Sequence, residues 1–155
     1  MKTIATLLLA LTFALPAGSE PAGFELWTAS HLKTLESKLS AGLNAQEFAV
    51  QSLGTFGNHS FMLAHREGNG QAELHETQND VFFVQSGRAM LVVGGTVVEP
   101  KTVAPHETRG SSINGGEQKA LGPGDVVHIP AGVPHQLLVD AGNQFTYFVV
   151  KIDAK

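Results

Sequence analysis

From Phe48 onward, short apolar runs alternate with breaks rich in glycine and other turn formers: "EFAVQSL", "HSFMLAH", "QAELHE", "VFFVQSG", "AMLVVGG", "TVVE", "VVHIP", "HQLLVD" and "QFTYFVVKI". Eight or nine short strands separated by turn residues predict an all-β sandwich or barrel, and no long helical pattern interrupts them to suggest a parallel α/β sheet. "INGGE" at 113–117 adds a further hairpin signal. Before the strands, "LWTASHLKTLESKLSAGLN" places Leu32, Leu35 and Leu39 at helical spacing, with Thr28 or Ser30 as N-cap and Gly42 as C-cap. Lys33, Thr34, Glu36, Ser37 and Lys38 fill the other positions, so an amphipathic helix of about three turns is expected, its leucine stripe lying on the rest of the domain.

The first residues follow another pattern. "MKTIATLLLALTFALPAGSE" has an early lysine, an apolar run from Ile4 to Leu15, and small residues after it. These are the regions of a secretory signal peptide, and the Ala17-Gly18-Ser19 site predicts cleavage before Glu20. The apolar run is short for a membrane span. Three segments are therefore expected: a signal peptide over 1–19, a linker and helix over 20–47, and a β-barrel domain over 48–155. The mature protein is then periplasmic or extracellular.

Composition narrows the class of partner. The 155-residue chain has a formal net charge of −4, and loss of Lys2 with the leader makes it −5. A mildly acidic surface argues against nucleic acid or an anionic membrane as partner. An exported chain with no cysteine takes its stability from a core, and from a metal if it binds one, rather than from disulfides.

Candidate chemistry lies in the placement of the histidines. Glu73 and His75 alternate on one strand, so they share a face about 7 Å apart, while Leu74 faces the other way. Asp80 stands at the start of the next strand, and His135 opens a strand far along the chain. In a closed antiparallel barrel these places meet in the interior, where side chains so spaced can converge on one ion. In "GDVVHIPAGVPH", glycines and prolines set a corner just before His135, ordering that residue before any ligand arrives.

This last segment resembles the second motif of the cupin superfamily, G-x5-P-x-G-x2-H-x3-N, with Gly124, Pro130, Gly132 and His135 at every spacing and Val139 in the asparagine position. The first cupin motif, G-x5-H-x-H-x3-4-E-x6-G, aligns back from Gly87 to place Asp80 at the acid, His75 at the second histidine and Glu73 at the first. A rival register with His75 first and Thr77 second leaves too few residues before Asp80. The resemblance spans roughly residues 55–150 and omits the helix. It implies a cupin-type jelly-roll barrel binding one divalent ion through His75, His135, Asp80 and Glu73, with Asp80, one methylene short of glutamate, reaching the ion directly or through water.

Such a ligand set accepts Fe, Mn, Zn or Ni, with oxygen donors favouring Mn(II) and Fe(II). The expected use is small-molecule chemistry of oxygenase, isomerase or lyase type, in which Glu73 serves as a base if it is not a ligand. Fold analogy does not choose among these reactions. The competing reading is a metal-free module that binds a small ligand without catalysis. A third is an interaction protein that forms a homodimer through the leucine stripe.

Each residue also has an ordinary reading. His75 can be a hydrogen-bonded interior histidine, Glu73 an exposed strand residue, Asp80 an Asx-turn residue, and His135 a turn histidine bonded to backbone. His31 reads as a solvated residue and His128 as a packed or surface strand residue. His59 and His65 share strand parity and read as strand-surface histidines, with a pocket lining as the alternative. "VEPKTVAPHETRGSSINGGEQKALGP" reads as a solvated excursion or subunit contact in which Glu107 and Arg109 pair at the surface. The alternative is a lid that brings Arg109 to an anionic substrate.

Overall fold

A computed structural model describes residues 20–154, so the signal peptide expected over 1–19 lies outside the described residues. Helix α1 (Ala29–Ser40) is followed by β1 (Phe48–Phe56), β2 (His59–Arg66), β3 (Ala72–His75), β4 (Gln78–Gly87), β5 (Ala89–Val93) and β6 (Thr96–Val98). Then come β7 (Lys101–Ala104), β8 (Glu107–Gly110), β9 (Ser112–Asn114), β10 (Glu117–Leu121), β11 (Val126–Ile129), β12 (His135–Leu138) and β13 (Phe145–Asp153). One antiparallel sheet has the order β1-β2-β13-β4-β11 and the other β10-β5-β12-β3-β8-β7, while β6 and β9 form a separate ribbon. The architecture is a jelly roll of two sheets, each with its own edges, rather than one continuously hydrogen-bonded cylinder.

Strand alternation places the core between the sheets. On β4, Asp80, Phe82 and Val84 are buried, whereas Phe83 and Gln85 between them are exposed. On β13, Phe145, Tyr147 and Val149 join that core, packed with Leu91, Ile129 and Leu137. The same parity carries β13 to Lys151 and β4 back to Asp80, which are direct cross-strand partners. A hydrophobic strand thus ends with a charged side chain pointing inward.

The helix closes the opposite face of the first sheet. Thr28 is the N-cap, its hydroxyl accepting from the His31 N–H at 3.2 Å. The C-cap is Ala41 in right-handed geometry, so Gly42 is not the predicted left-handed terminator. Leu39 is buried and Leu32 and Leu35 are half-buried as α1 packs on β2 and β1. The chain's own sheet therefore covers much of the leucine stripe.

Glu36, expected on the solvated face, instead accepts hydrogen bonds from Thr146 Oγ1 at 3.1 Å and from the Ser86 hydroxyl. Beneath it lies His65, fully buried, with Nδ1 2.7 Å from Thr146 Oγ1 and Nε2 3.1 Å from Glu67. His65 is thus neither a strand-surface residue nor a lining of the interior pocket. Its parity faces the helix, while Met62, Ala64 and Arg66 face the cavity. His59 packs edge-on to Phe61 near Trp27.

The stretch from 99 to 123 is not a solvated excursion. It supplies β7 through β10, and β8 pairs in register with β3, aligning Glu73 with Arg109 and His75 with Glu107. The "INGGE" signal is also not a hairpin, because β9 pairs with β6 and β10 with β5. Gly115 and Gly116 instead form a corner that lies against Gly94 and Gly95, all four with φ between 74° and 82°. A Cβ on Gly116 would stand 2.9 Å from the Val93 carbonyl oxygen and 3.0 Å from that of Gly94.

Two glycines at nearly equal φ separate crowding from strain. Gly142 has φ 81° with open space around it, and Gly116 has φ 82° with backbone on two sides. We expect Gly142→Ala to cost about 1 kcal/mol, from backbone conformation alone, and Gly116→Ala at least about 1 kcal/mol more. Urea unfolding measures both, and equal losses would contradict the packed corner.

Candidate metal centre

The site is assembled from two cross-strand pairs facing each other across the sandwich. In one sheet, His135 opens β12 directly opposite Glu73 on β3. In the other, Lys151 on β13 is directly opposite Asp80 on β4. His75, two residues after Glu73 on the same face, completes the group. The four donors predicted from the sequence thus converge, with one atom from each of Glu73, His75, Asp80 and His135 within 4.8 Å of all the others.

The corner before His135 is fixed at several points. Gly132 has φ 78°, and its N–H donates to the His75 carbonyl at 2.8 Å. Ala131 N–H donates to Asn79 Oδ1 at 3.0 Å, and Gly94 N–H to the Pro134 carbonyl at 2.8 Å. His135 Nδ1 lies 3.2 Å from the Val133 carbonyl, which can only accept, so Nδ1 carries a hydrogen. In the neutral ring this leaves a lone pair on Nε2. That atom is buried and has no hydrogen-bond partner.

Distances among the donors fit a single cation. His75 Nε2 is 3.3 Å from Glu73 Oε2 and 3.6 Å from Asp80 Oδ2. His135 Nε2 is 3.8 Å and 3.5 Å from the same two oxygens. Donors about 2.1 Å from a tetrahedral ion stand about 3.4 Å apart. Four acceptor atoms at such spacing repel one another unless a positive charge lies between them. An unpartnered Nε2 aimed into a ring of two carboxylates and a second imidazole suits a divalent metal of the zinc, iron or manganese kind.

Lysine 151 is the feature that sequence reasoning missed. Its ammonium donates to His75 Nε2 at 3.0 Å and to Asp80 Oδ1 and Oδ2 at 2.8 and 3.0 Å. A signal was present in "FTYFVVKI", since Lys151 shares the inward parity of Phe145, Tyr147 and Val149. Asp80 is therefore an interior residue, not an Asx-turn residue.

Two arginines hold the outer side of Glu73. Arg109 pairs with Glu73 Oε1 and with Glu107, and Arg66 lies 3.6 Å from the same Oε1. Arg66 also stacks on Phe48 at 4.1 Å and donates to the Tyr147 hydroxyl at 3.2 Å. Arg109 is thus inside the site rather than paired only at the surface. The cavity these groups line has a volume of about 320 Å³. His128 is exposed on β11 and His31 on α1, both away from the site, while exposed His106 pairs with Glu76 at 3.1 Å.

Burial opposes charge on both acids, yet both carboxyl groups are held below their ordinary range. For Glu73, burial is outweighed by the positive charges of Arg109 and Arg66. For Asp80, burial is outweighed by Lys151, which both bonds and attracts it. A carboxylate so stabilised is a weak proton acceptor, which suits Glu73 as a ligand better than as a general base.

No protein-family model and no curated protein matches the chain. Among solved structures, it is similar to the protein TT1209 of Thermus thermophilus, with a TM-score of 0.52 and 19% identity over 72% of this chain and 89% of that one. It is also similar to the polyketide cyclase RemF of Streptomyces resistomycificus, with a TM-score of 0.50 and 18% identity over 73% and 69%. A third is oxalate oxidase, with a TM-score of 0.51 and 13% identity over 71% of this chain and 53% of that one. The fold is that of the cupins, a β jelly roll with one added helix. Within that fold, the chain presents two imidazoles, two carboxylates and an intruding ammonium.

The depressed carboxyls fix the sign of a pH dependence. The unfolded chain takes up protons near the ordinary values of 4.5 and 3.8, where the folded chain still holds both groups ionised. Their contribution to stability is present above those values and is lost as pH falls below them. Between about pH 3 and 4, the Glu73→Gln, Asp80→Asn double variant should lose stability with acid less steeply, by up to about 1 kcal/mol per pH unit for each group. Denaturant midpoints across this range test it, and an unchanged slope would contradict the assignment.

Proposed function

We propose that this protein binds one divalent metal ion between Glu73, His75, Asp80 and His135 and uses it on a small molecule admitted to the cavity. The observation that carries this reading is the buried, unpartnered Nε2 of His135, aimed at two carboxylates and a second imidazole lone pair. The geometry of those four donors supports a metal of the Fe, Mn, Zn or Ni group, and two oxygen donors favour Mn(II) or Fe(II). Once bound, the ion supplies Lewis acidity and a template for orienting substrate.

The chain's own residues supply the rest. Val133 holds the His135 ring in the tautomer that presents Nε2. Arg66 and Arg109 anchor Glu73 by Oε1 and leave Oε2 turned towards the imidazoles. Phe48, Phe82 and Val149 line the apolar side of the cavity, and Tyr147 adds a hydroxyl beside Arg66. A polar small molecule suits such a lining, and one structural neighbour, oxalate oxidase, has been solved in complex with glycolate. We further infer, from the pattern of residues 1–19, that the chain is exported to the periplasm or beyond and that the mature protein begins at Glu20. Residues 20–47 then form a linker and helix attached to the jelly-roll domain.

One observation favours a second reading. Lys151 already satisfies His75 Nε2 and Asp80, as it would in a metal-free module that binds a small ligand without catalysis. Calorimetric titration of the metal-stripped protein with Mn(II), Fe(II), Zn(II) and Ni(II) separates the two. The metal reading predicts one ion per chain, with His75→Ala and His135→Ala each weakening binding at least about a hundredfold, as expected for the loss of one of four ligands. Undiminished binding in either variant would remove that residue from the site, and no binding in the wild type would leave the metal-free module.

A further inference from the structure

The ligand cluster is divided in its occupancy by the chain itself. His75 Nε2 and Asp80 are held by the Lys151 ammonium, whereas His135 Nε2 has no partner. An ammonium has three donors and no lone pair, so Lys151 cannot join a coordination sphere while it is charged. It instead occupies the one lone pair that His75 would offer an ion. It also places a positive charge about 3 Å from two of the four ligand atoms, where a divalent cation would meet strong repulsion.

Resting on the metal reading above, we propose that Lys151 is a tethered competitor for the metal. The ammonium and a divalent ion occupy the cluster in alternation, and loading the site releases the Lys151 side chain into the cavity. Three features make the exchange feasible. The lysine stem is flexible, and the side chain is 18% exposed, so the head can swing to solvent without repacking the core. Asp80, the cross-strand partner of Lys151, is placed by the backbone pairing of β4 with β13, which does not depend on where the Lys151 side chain points. The other half of the cluster, His135 and Glu73, is open to receive an ion before Lys151 leaves. In the metal-free state the ammonium keeps two carboxylates and two imidazoles from facing one another without a cation, which preserves the ligand geometry.

Released, Lys151 becomes a third cation on the cavity wall beside Arg66 and Arg109. Metal loading then switches that wall from balanced to positive, and the ligand class it favours is a small anion such as a carboxylate. The device thus couples metal occupancy to recognition of substrate charge.

The test uses the metal-stripped full chain, with Mn(II) and Zn(II) as probes. Calorimetry compares the wild type with Lys151→Met and Lys151→Gln, and mass spectrometry follows acetylation of Lys151 in the wild type with and without metal. Removing the competitor should tighten Mn(II) binding at least about tenfold, because displacement of charge-assisted hydrogen bonds no longer opposes it. Acetylation of Lys151 should rise at least about threefold on loading, with the other lysines unchanged, as a freed ammonium becomes accessible. The labelling arm needs no variant and holds if either substitution fails to fold. Equal or weaker binding by the variants, or unchanged labelling in a loaded wild type, overturns the exchange while leaving the metal reading intact. Binding by neither wild type nor variants overturns both.

Discussion

Four acceptor atoms meet in the interior of this protein, and their mutual repulsion is the constraint around which the rest is arranged. Two carboxylate oxygens and two imidazole nitrogens stand 3.3–3.8 Å apart with lone pairs converging. Such a cluster is stable only around positive charge. The fold supplies it in layers, with Lys151 inside the cluster and Arg66 and Arg109 on the outer edge of Glu73. Breaking a buried ionic network by removing one partner is strongly destabilising, so these groups depend on one another.

The jelly roll explains how residues more than fifty positions apart come to share one point. Each sheet contributes one cross-strand pair, Glu73 with His135 and Asp80 with Lys151, and the pairs oppose one another across the core. Strand parity then aims all of them inward without any special loop. Only His135 needs a corner, because its strand begins at the residue itself. The left-handed Gly132 and its bond to the His75 carbonyl fasten that corner to the neighbouring ligand. The helix lies on the other face of the sheet, held by Glu36 and the buried His65, and takes no part in the site.

Much of this was legible in the sequence. Turn residues punctuated most of the strands, and the alternation around Glu73 and His75 together with the motif ending in His135 located all four donors. What escaped has a common cause. The strands from 101 to 121 are short and polar, so a period-two pattern of apolar residues never formed there, and Arg109 looked like a surface residue. Glu36 and His65 satisfy each other's surroundings through Thr146, a relation set by packing of helix on sheet rather than by spacing along the chain. Lys151 was hidden inside an apolar strand, where its inward parity mattered more than the company of Val149 and Val150. A charged residue on the core face of a strand needs a partner, and here the partner was Asp80.

The account turns on whether a metal ion sits among those four donor atoms. Crystals of the protein grown with Mn(II), with diffraction collected across the manganese absorption edge, would locate it directly. The account predicts one strong anomalous peak between Glu73 Oε2, His75 Nε2, Asp80 Oδ2 and His135 Nε2. A crystal at saturating Mn(II) with no peak there, and Lys151 still bonded to His75 and Asp80, would contradict it.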